Sequence, residues 1–260
     1  MSGFDGQVVL VTGAGRGLGA AYARAFAERG ATVVVHDAGL AVDGGGGDRA
    51  VADALANEIG GVAAHQDLRD VRSCEMLVER TFDAFGRLDA VVHNAGLLAI
   101  EPLEEAHRHW DDIVHSTLDA AFHITRTAWP IMKQQRYGRF VFTTSSRAMV
   151  PRESVAGFSA YAASRMGAFG LMLAVCAEGA DHGIRANAIS PVVTGTRTST
   201  RELSDELTPE HVVPAVLHLA SSECTYSGVV VHAEGGTFHT VGWVDGQALQ
   251  FESEGVVQTA

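Results

Sequence analysis

Short apolar runs alternate with longer stretches of helical periodicity along this 260-residue chain. Seven of the short runs predict strands, because they are almost continuously apolar, as parallel strands covered on both faces are. They are Val8–Val11, Val33–His36, Gly61–His65, Ala90–His93, Phe140–Thr144, Arg185–Ile189 and Val229–His232. The longer segments predict five helices, which are Leu18–Arg29, Arg49–Ile59, Val71–Phe85, Trp110–Arg136 and Ala160–His182.

This alternation predicts an α/β fold of the Rossmann type, with a doubly wound parallel sheet of about seven strands and helices on both faces. No composition shift, repeat or long linker divides the chain, so residues 1–260 are expected to form one domain. Residues 194–208 are polar, rich in Ser and Thr and without a clear period. Such a segment near the carboxyl edge of a sheet is typical of a substrate lid.

The balance of charge argues against two classes of partner. There are 19 Lys and Arg residues against 31 Asp and Glu residues, a formal net charge of −12 at pH 7. Duplex nucleic acid and anionic membranes are bound by net basic surfaces, so neither is an expected partner. The first residues lack the pattern of a secretory signal, and no uninterrupted apolar run is long enough to span a membrane. Cys74, Cys176 and Cys224 form no C-x-x-C pair, which favours reduced thiols in the cytoplasm and no metal site.

A glycine-rich segment, TGAGRGLG at Thr12–Gly19, follows the first predicted strand and opens the first predicted helix. In this context Gly13 permits a tight turn, Gly17 lets the backbone approach a pyrophosphate and Gly19 allows close helix packing. The helix N-terminus adds amide groups and a dipole that favour an anion. The segment therefore predicts a dinucleotide site.

Asp37 ends the second predicted strand, about twenty residues beyond the glycines, where dinucleotide folds place a carboxylate on the adenosine ribose. Such a carboxylate accepts hydrogen bonds from the ribose hydroxyls and repels a 2′-phosphate. Its neighbours are His36 and Ala38, so no arginine stands beside it to accommodate that phosphate. The residues favour NAD over NADP, and the alternative is an Asp that only caps the strand end.

Five motifs together resemble those of the short-chain dehydrogenases/reductases, over nearly the whole chain. They are TGAGRGLG, HNAG at His93–Gly96 with His for the family's first Asn, TTSS at Thr143–Ser146, YAASR at Tyr161–Arg165 and NAISPVVTGT at Asn187–Thr196. The resemblance implies a single NAD-binding domain. It implies as cofactor-binding residues Gly13, Arg16, Gly17, Leu18, Gly19, Asp37, Asp67, Leu68, Asn94, Ala95, Gly96, Tyr161, Arg165, Pro191, Val193 and Thr196.

The same resemblance implies that Ser145, Tyr161, Arg165 and Thr117 are the catalytic group. Tyr161 would remove the hydroxyl proton of the substrate, and Ser145 would hydrogen-bond the substrate oxygen. The spacing from Ser145 to Tyr161 is longer than is usual in the family. It indicates an enlarged loop over the pocket.

Two of these positions depart from the family's pattern: Arg165 stands where the family has lysine, and Thr117 stands where it often has Asn. An unperturbed phenol ionises near pH 10, so a phenolic base needs a positive charge close by. Arginine keeps that charge, but it cannot release a proton and its planar fork needs a different space. We therefore expect electrostatic activation to persist while ribose positioning and proton relay change. A rival hypothesis is an NAD-binding homologue with little turnover that acts as a sensor or assembly subunit.

A closer resemblance is to the (3R)-hydroxyacyl-CoA dehydrogenase region of peroxisomal multifunctional enzymes, carried by WPIMKQQRYGRFVF, the glycine-rich loop after Asp37 and LTPEHVVPAVLHLASSE. It implies an NAD-dependent oxidoreductase that interconverts a secondary alcohol and a ketone, and by analogy a homo-oligomer, either tetramer or dimer. The substrate stays open between a 3-hydroxyacyl thioester, a steroid or terpenoid alcohol and another ring alcohol. Clustered arginines in the two segments that border the pocket favour an anionic small molecule, with solvated loop charge as the alternative. They are Arg147, Arg152, Arg197 and Arg201.

Overall fold

The fold is built on one eight-stranded sheet, with strand order β3-β2-β1-β4-β5-β6-β7-β8. The computed structural model describes residues 3–41, 44–193, 207–242, 249–252 and 255–258. The strands of the sheet are β1 (Val8–Thr12), β2 (Thr32–His36), β3 (Val62–Ala64), β4 (Ala90–His93), β5 (Gly138–Thr143), β6 (Ile184–Val192), β7 (Val230–Glu234) and β8 (Thr237–Val241). β1 to β7 are mutually parallel, which confirms the α/β class and the doubly wound sheet.

The predicted count of about seven strands is wrong by one, because β8 turns back antiparallel to β7. Glu234 pairs with Thr237, so only Gly235 and Gly236 form the connection. Both glycines have positive φ, 53° and 77°, as a tight two-residue hairpin requires. The sequence carries this signal as a Gly-Gly pair followed by a β-branched run. A separate antiparallel pair is formed by β9 (Leu249–Glu252) and β10 (Gly255–Gln258).

Helices cover both faces of the sheet. They are α1 (Gly17–Ala27), α2 (Ala50–Ile59), α3 (Val71–Phe85), α4 (Trp110–Val114), α5 (Ala120–Gln135), α6 (Ser146–Met149), α7 (Ser159–Gly179) and α8 (Val213–Ala220). The buried side chains of α1, α2 and α8 form one core with one face of the sheet, and those of α3, α5 and α7 form a second core with the other face. Apolar side chains alternate between the two cores along the strands. Leu10 points to one core and Val11 to the other.

The helix predicted for Trp110–Arg136 is present as one continuous helical stretch that ends at Gln135, but a π-helical turn at His115–Asp119, which was not predicted, lies between α4 and α5. Such turns insert an extra residue into an α-helix and are frequent at functional sites. Hydrophobic periodicity over a long window does not detect one inserted residue. Two short helices were also not predicted. They are α6, within the expected enlarged loop, and α8, where Pro214 lies in the first turn.

The order of strands reverses between β1 and β4, which are neighbours in the centre of the sheet. The connections diverge to opposite faces at such a point and leave a crevice at the carboxyl ends of the strands, where ligands bind. In the described part of the chain, one segment, Ser159–His182, is long and apolar enough to cross a membrane by length and composition alone. That is weak support for a membrane helix, because a core helix passes the same test, and α7 packs against β5 and β6.

Candidate active site

A cavity of about 510 Å³ opens at the carboxyl ends of the central strands. It brings together most of the predicted site residues. Lining it are Gly13, Arg16, Gly17, Leu18, Asp37, Asp67, Leu68, Asn94, Ala95, Gly96, Ser145, Tyr161, Arg165, Pro191 and Val193. Gly19 and Thr117 lie behind the lining, and Thr196 lies outside the described residues, as do residues 194–206 of the expected lid. The chemical role of each residue stays a prediction.

The glycine loop is shaped by close backbone approaches. Gly13 has a φ of +62°, and a methyl group on it would lie 3.0 Å from the Cα atom of Ala95. A methyl group on Gly19 would lie 2.1 Å from the carbonyl oxygen of Gly13, so any side chain there would separate α1 from the loop. Gly17, with a φ of +52°, begins α1. At Gly13 and Gly17 the loop therefore presents backbone to the cavity.

Thr12 joins the ends of β1 and β4 beneath this loop. Its Oγ1 accepts hydrogen bonds from the backbone N–H groups of Asn94 and Ala95, both at 3.1 Å. The side-chain amide of Asn94 in turn donates to the carbonyl oxygens of Thr12 at 3.2 Å and Gly13 at 3.1 Å. The floor of the crevice is thus held by bonds within the protein.

Asp37 holds the loop as well as facing the cavity. One carboxylate oxygen accepts from the backbone N–H of Gly15 at 3.0 Å, and the other accepts from that of Gly39 at 2.8 Å. Each oxygen has a second lone pair, so these bonds leave acceptor capacity for ribose hydroxyls. The capping role and the ribose role of Asp37 are therefore compatible.

Asp67 has a partner that the sequence analysis missed. The guanidinium of Arg69 donates to its carboxylate at 2.6 Å from Nη2 and at 3.0 Å from Nε. Burial would raise the pKa of Asp67, but the hydrogen bonds from Arg69 outweigh it and hold the pKa below its usual value. Nη1 of Arg69 reaches Asp112 on α4 at 3.0 Å. One arginine thus links Asp67, a predicted cofactor-binding residue, to α4.

The predicted catalytic residues lie at the other end of the cavity. Ser145, 8% exposed, accepts a hydrogen bond from the backbone N–H of Arg147 at 3.3 Å, so its own O–H remains a donor. The Tyr161 ring meets Phe158 edge-on, with centroids 5.6 Å apart. The guanidinium carbon of Arg165 lies 5.4 Å from the centroid of the Tyr161 ring.

Arg165 is 5% exposed and is held at the end of β5. Its Nη1 donates to the carbonyl oxygen of Thr143 at 3.0 Å, and Oγ1 of Thr144 donates to the Arg165 carbonyl oxygen at 3.0 Å. Nε of Arg165 and Oγ1 of Thr117 are buried without a hydrogen-bond partner among the described residues. A methyl group on Gly96 would lie 2.7 Å from Nη2 of Arg165 and 2.7 Å from Oγ1 of Thr117. Arg165 and Thr117, the two departures from the family's pattern, therefore both face Gly96.

His93 is a second residue whose contacts the sequence analysis did not anticipate. It is 1% exposed at the end of β4. Its Nδ1 lies 3.3 Å from Oγ1 of Thr12, and its Nε2 lies 2.9 Å from the carbonyl oxygen of Thr117. The only signal in the sequence is the unusual first residue of HNAG.

The residues present fit a dinucleotide. The glycine loop offers a cradle that Cβ atoms would fill, Asp37 retains acceptor capacity, and Nε of Arg165 is a buried donor without a protein partner. Beyond Tyr161 the wall becomes apolar and includes Leu97, Leu98, Val155 and Phe158, which suits the carbon skeleton of a substrate. The guanidinium carbon of Arg147 lies 5.3 Å from the centroid of the Phe158 ring. The side chains of Arg152, Arg197 and Arg201 lie outside the described residues.

Comparison with known proteins places this site in a family. The short chain dehydrogenase family matches residues 7–207. Peroxisomal multifunctional enzyme type 2 of Mus musculus is 39% identical over 248 residues, which cover 92% of this chain but 33% of that protein. A Mycobacterium tuberculosis protein named as a short-chain type dehydrogenase/reductase is 34% identical over 267 residues, covering 99% of this chain and 92% of that protein. The chain thus spans a third of the mouse enzyme and nearly all of the mycobacterial relative.

The fold agrees with this assignment. A crystal structure of a short chain dehydrogenase from Mycobacterium avium aligns with a TM-score of 0.83 at 32% identity, covering 96% of this chain and 89% of that one. The strand order reverses between β1 and β4, and the glycine loop and the Tyr161–Arg165 pair line one cavity. The chain belongs to the short chain dehydrogenase family and is an oxidoreductase that acts on CH–OH groups.

Proposed function

We propose that this protein is an NAD-dependent dehydrogenase that interconverts a secondary alcohol and a ketone. The observation that carries the proposal is the convergence of Ser145, Tyr161 and Arg165 on one cavity that Asp37 and the glycine loop also line. Residues 1–260 would act as one NAD-binding domain.

The residues that line the cavity have different roles in the proposed alcohol oxidation. Ser145 hydrogen-bonds the substrate oxygen, and Tyr161 accepts its hydroxyl proton. Arg165 places a permanent positive charge beside the Tyr161 ring, with its guanidinium carbon 5.4 Å from the ring centroid. NAD, when bound, supplies the hydride acceptor. Because arginine does not release its proton, the proton taken by Tyr161 leaves by a path that does not use Arg165 as an acid.

Preference for NAD over NADP is part of the proposal. The Asp37 carboxylate lines the cavity, and its immediate neighbours His36 and Ala38 also line it without adding positive charge. A 2′-phosphate at the ribose would meet this carboxylate and be repelled.

The substrate we propose is a secondary alcohol with a hydrophobic skeleton, with a 3-hydroxyacyl thioester as the first candidate. The apolar wall formed by Leu97, Leu98 and Phe158 supports a hydrophobic skeleton, and Arg147 at the same wall supports an anionic group. The similarity to the mouse multifunctional enzyme over a third of its length supports the thioester.

A second candidate is a homologue that binds NAD with little turnover, as a sensor or assembly subunit. It is favoured by one observation, the replacement of the family's lysine by Arg165 beside Thr117, whose buried hydroxyl lacks a partner among the described residues.

The deciding experiment is a panel of secondary alcohols and 3-hydroxyacyl thioesters, assayed by NADH absorbance, with titration of NAD and NADP in parallel. We expect turnover of at least one class and tighter binding of NAD. Binding of NAD without turnover of any alcohol or ketone would select the sensor, and tighter binding of NADP would overturn the cofactor assignment.

We further infer a cytoplasmic homo-oligomer, a tetramer or a dimer. Phe122 on α5 and Leu173 on α7 are 47% and 43% exposed, an apolar surface suited to contact with a second copy. Cys74 and Cys224 are buried as free thiols, which suits a reducing compartment.

A further inference from the structure

We propose that His93 is a positioning residue, a neutral imidazole protonated on Nε2 that fixes the π-helical turn carrying Thr117 against Arg165. The structural part stands on hydrogen bonds alone, whereas its effect on turnover rests on the proposed dehydrogenase function. Nothing in the HNAG motif requires a histidine for binding NAD, so the contacts of the ring must explain it.

The hydrogen bonds of Thr12 determine which nitrogen carries the proton. Its hydroxyl oxygen has two lone pairs, and both are taken by the N–H groups of Asn94 and Ala95. The single O–H hydrogen is then directed to Nδ1 of His93, 3.3 Å away, which must be an acceptor. Nδ1 is therefore unprotonated, and Nε2 carries the hydrogen that it donates to the carbonyl oxygen of Thr117 at 2.9 Å.

A second proton on the ring would break this arrangement. It would place an N–H against the O–H of Thr12, two donors with no acceptor between them. The surroundings also oppose a charge, since the ring is buried and the charged or titratable groups that face it are Arg165 from α7 and His36 from β2. Burial is the main cause that lowers the pKa of His93 to about 4, against the raising effect of the Thr117 hydrogen bond, and Arg165 and His36 lower it further. The imidazole is therefore neutral at pH 7.

The bond to Thr117 matters because of where the π-helical turn lies. Thr117 belongs to that turn, and both its hydroxyl and Nη2 of Arg165 face Gly96 with no space for a methyl group between them. A shift of the turn would change the space available to the guanidinium beside Tyr161. His93 thus connects the floor of the dinucleotide cradle, through Thr12, to the catalytic cation.

Two substitutions test separately the two hydrogen bonds of the ring, to Thr12 and to Thr117. In His93→Asn, the amide oxygen takes the place of Nδ1 and keeps the acceptor for Thr12, but the amide nitrogen ends short of Thr117. In His93→Gln, the amide nitrogen reaches the Thr117 carbonyl, but no acceptor remains for the hydroxyl of Thr12. His107→Asn is the control, because His107 is exposed and lies outside the cavity lining.

We expect His93→Asn to lower kcat about tenfold while the Kd for NAD changes about twofold, as loss of one buried hydrogen bond at the turn implies. We expect His93→Gln to show the opposite split, with NAD binding weakened about fivefold and kcat less affected than in His93→Asn. A role in general stability alone would weaken both quantities in parallel in both variants, and that result would overturn the proposal.

The tautomer is tested without turnover and without a variant that must fold. In 15N NMR spectra of the histidine-labelled parent at pH 7, the His93 resonance, assigned by its contact with Thr12, should be that of a neutral ring protonated on Nε2. An Nδ1-protonated or doubly protonated ring overturns the proposal. If no alcohol is turned over, the spectrum and the NAD titrations still decide the positioning role, so failure of the enzyme assignment is a separate outcome.

Discussion

The side chain of Arg165 is hydrogen-bonded to the main chain of Thr143, with Nη1 donating to the Thr143 carbonyl oxygen at 3.0 Å. The bond fixes the guanidinium at the end of β5, two residues before Ser145, in addition to any electrostatic role. The Thr144 hydroxyl donates a hydrogen bond to the carbonyl oxygen of Arg165, so two hydrogen bonds join α7 to the end of β5. Arg165, which replaces the family's lysine, is thus held in place by hydrogen bonds to neighbouring residues of the site.

The first prediction concerns Arg165→Lys. A lysine amine is a single point donor and would not reproduce the planar contacts of the guanidinium. We expect kcat to fall by about tenfold to a hundredfold, as loss of a buried hydrogen-bonding group implies. Steady-state kinetics with NAD at saturation would measure it, and Arg126→Lys on the exposed side of α5 serves as the control. A variant faster than the parent would show that Arg165 is a defect.

Coupling between Arg165 and Thr117 gives a second prediction. Because both side chains face Gly96, a longer polar side chain at position 117 should compensate for a changed cation. We expect Arg165→Lys combined with Thr117→Asn to recover part of the lost kcat. The four proteins of a double-mutant cycle measure the coupling free energy, and values that simply add would show the positions to be independent.

Tyr161→Phe removes only the phenol oxygen. We expect turnover to be abolished while NAD binding is nearly unchanged, because most of the proposed cofactor contacts come from the glycine loop, Asp37 and the lid. Stopped-flow absorbance and isothermal titration would measure the two effects, with Tyr226→Phe, outside the cavity lining, as the control. Persistence of turnover at a comparable rate would exclude Tyr161 as the base.

Asp37→Ala tests the cofactor preference. The carboxylate accepts hydrogen bonds from two backbone N–H groups, at Gly15 and Gly39, and in the proposed role also from the ribose, so its loss removes charge and loosens the loop. We expect NAD affinity to fall about tenfold and NADP affinity to fall less, since the repulsion of the 2′-phosphate is also removed. Asp111→Ala, on the exposed face of α4, controls for the change in net charge. Equal losses for both cofactors would contradict the assignment.

His93 also predicts a dependence of stability on pH. The unfolded state binds the imidazole proton near pH 6.5, whereas burial lowers the pKa in the folded protein to about 4. Between these values the unfolded state holds more protons, so the free energy of unfolding falls as the pH falls, by up to about 3 kcal/mol at pH 4. Urea unfolding at pH 7.5, 6, 5 and 4.5 should show a shallower decline in His93→Asn than in the parent. Equal slopes would show that His93 does not titrate as proposed.

The exposed apolar residues of α5 and α7 predict the oligomer contact. We expect Phe122→Glu combined with Leu173→Glu to shift the protein to a smaller species in light scattering at micromolar concentration, because a charge in an apolar interface is left unpaired. Val71→Glu, an equally exposed apolar position at the start of α3, is the control. A parent protein that is already monomeric would remove the proposal.

Much of the fold was predictable because parallel strands are short, apolar and regularly spaced in this chain. All seven predicted strands are present, with ends moved by a residue or a few, and the predicted helices α1, α2, α3 and α7 are present at similar bounds. The π-helical turn at His115–Asp119 was not predictable, since one inserted residue hardly alters an apolar periodicity. The hairpin to β8 was not predicted, although the Gly235–Gly236 pair that forms its turn is visible in the sequence.

In the candidate site, too, some features were predictable from the sequence and others were not. Positions fixed by local motif, such as Gly13 and Tyr161, line the cavity as expected. Contacts that depend on residues distant in sequence were not predictable, because no local pattern records them. Examples are Arg69 reaching Asp112 on α4 and His93 reaching the carbonyl of Thr117.

The bonds of Thr12 and Asn94 beneath the glycine loop have a consequence for the rate of association. These polar groups are satisfied within the protein, so the hydrogen bonds that hold the floor of the crevice do not require a dinucleotide to form. A preorganised floor loses little conformational entropy when a ligand binds, and association then requires no slow rearrangement there. Encounter with the dinucleotide should therefore be limited by diffusion and orientation at this end of the molecule.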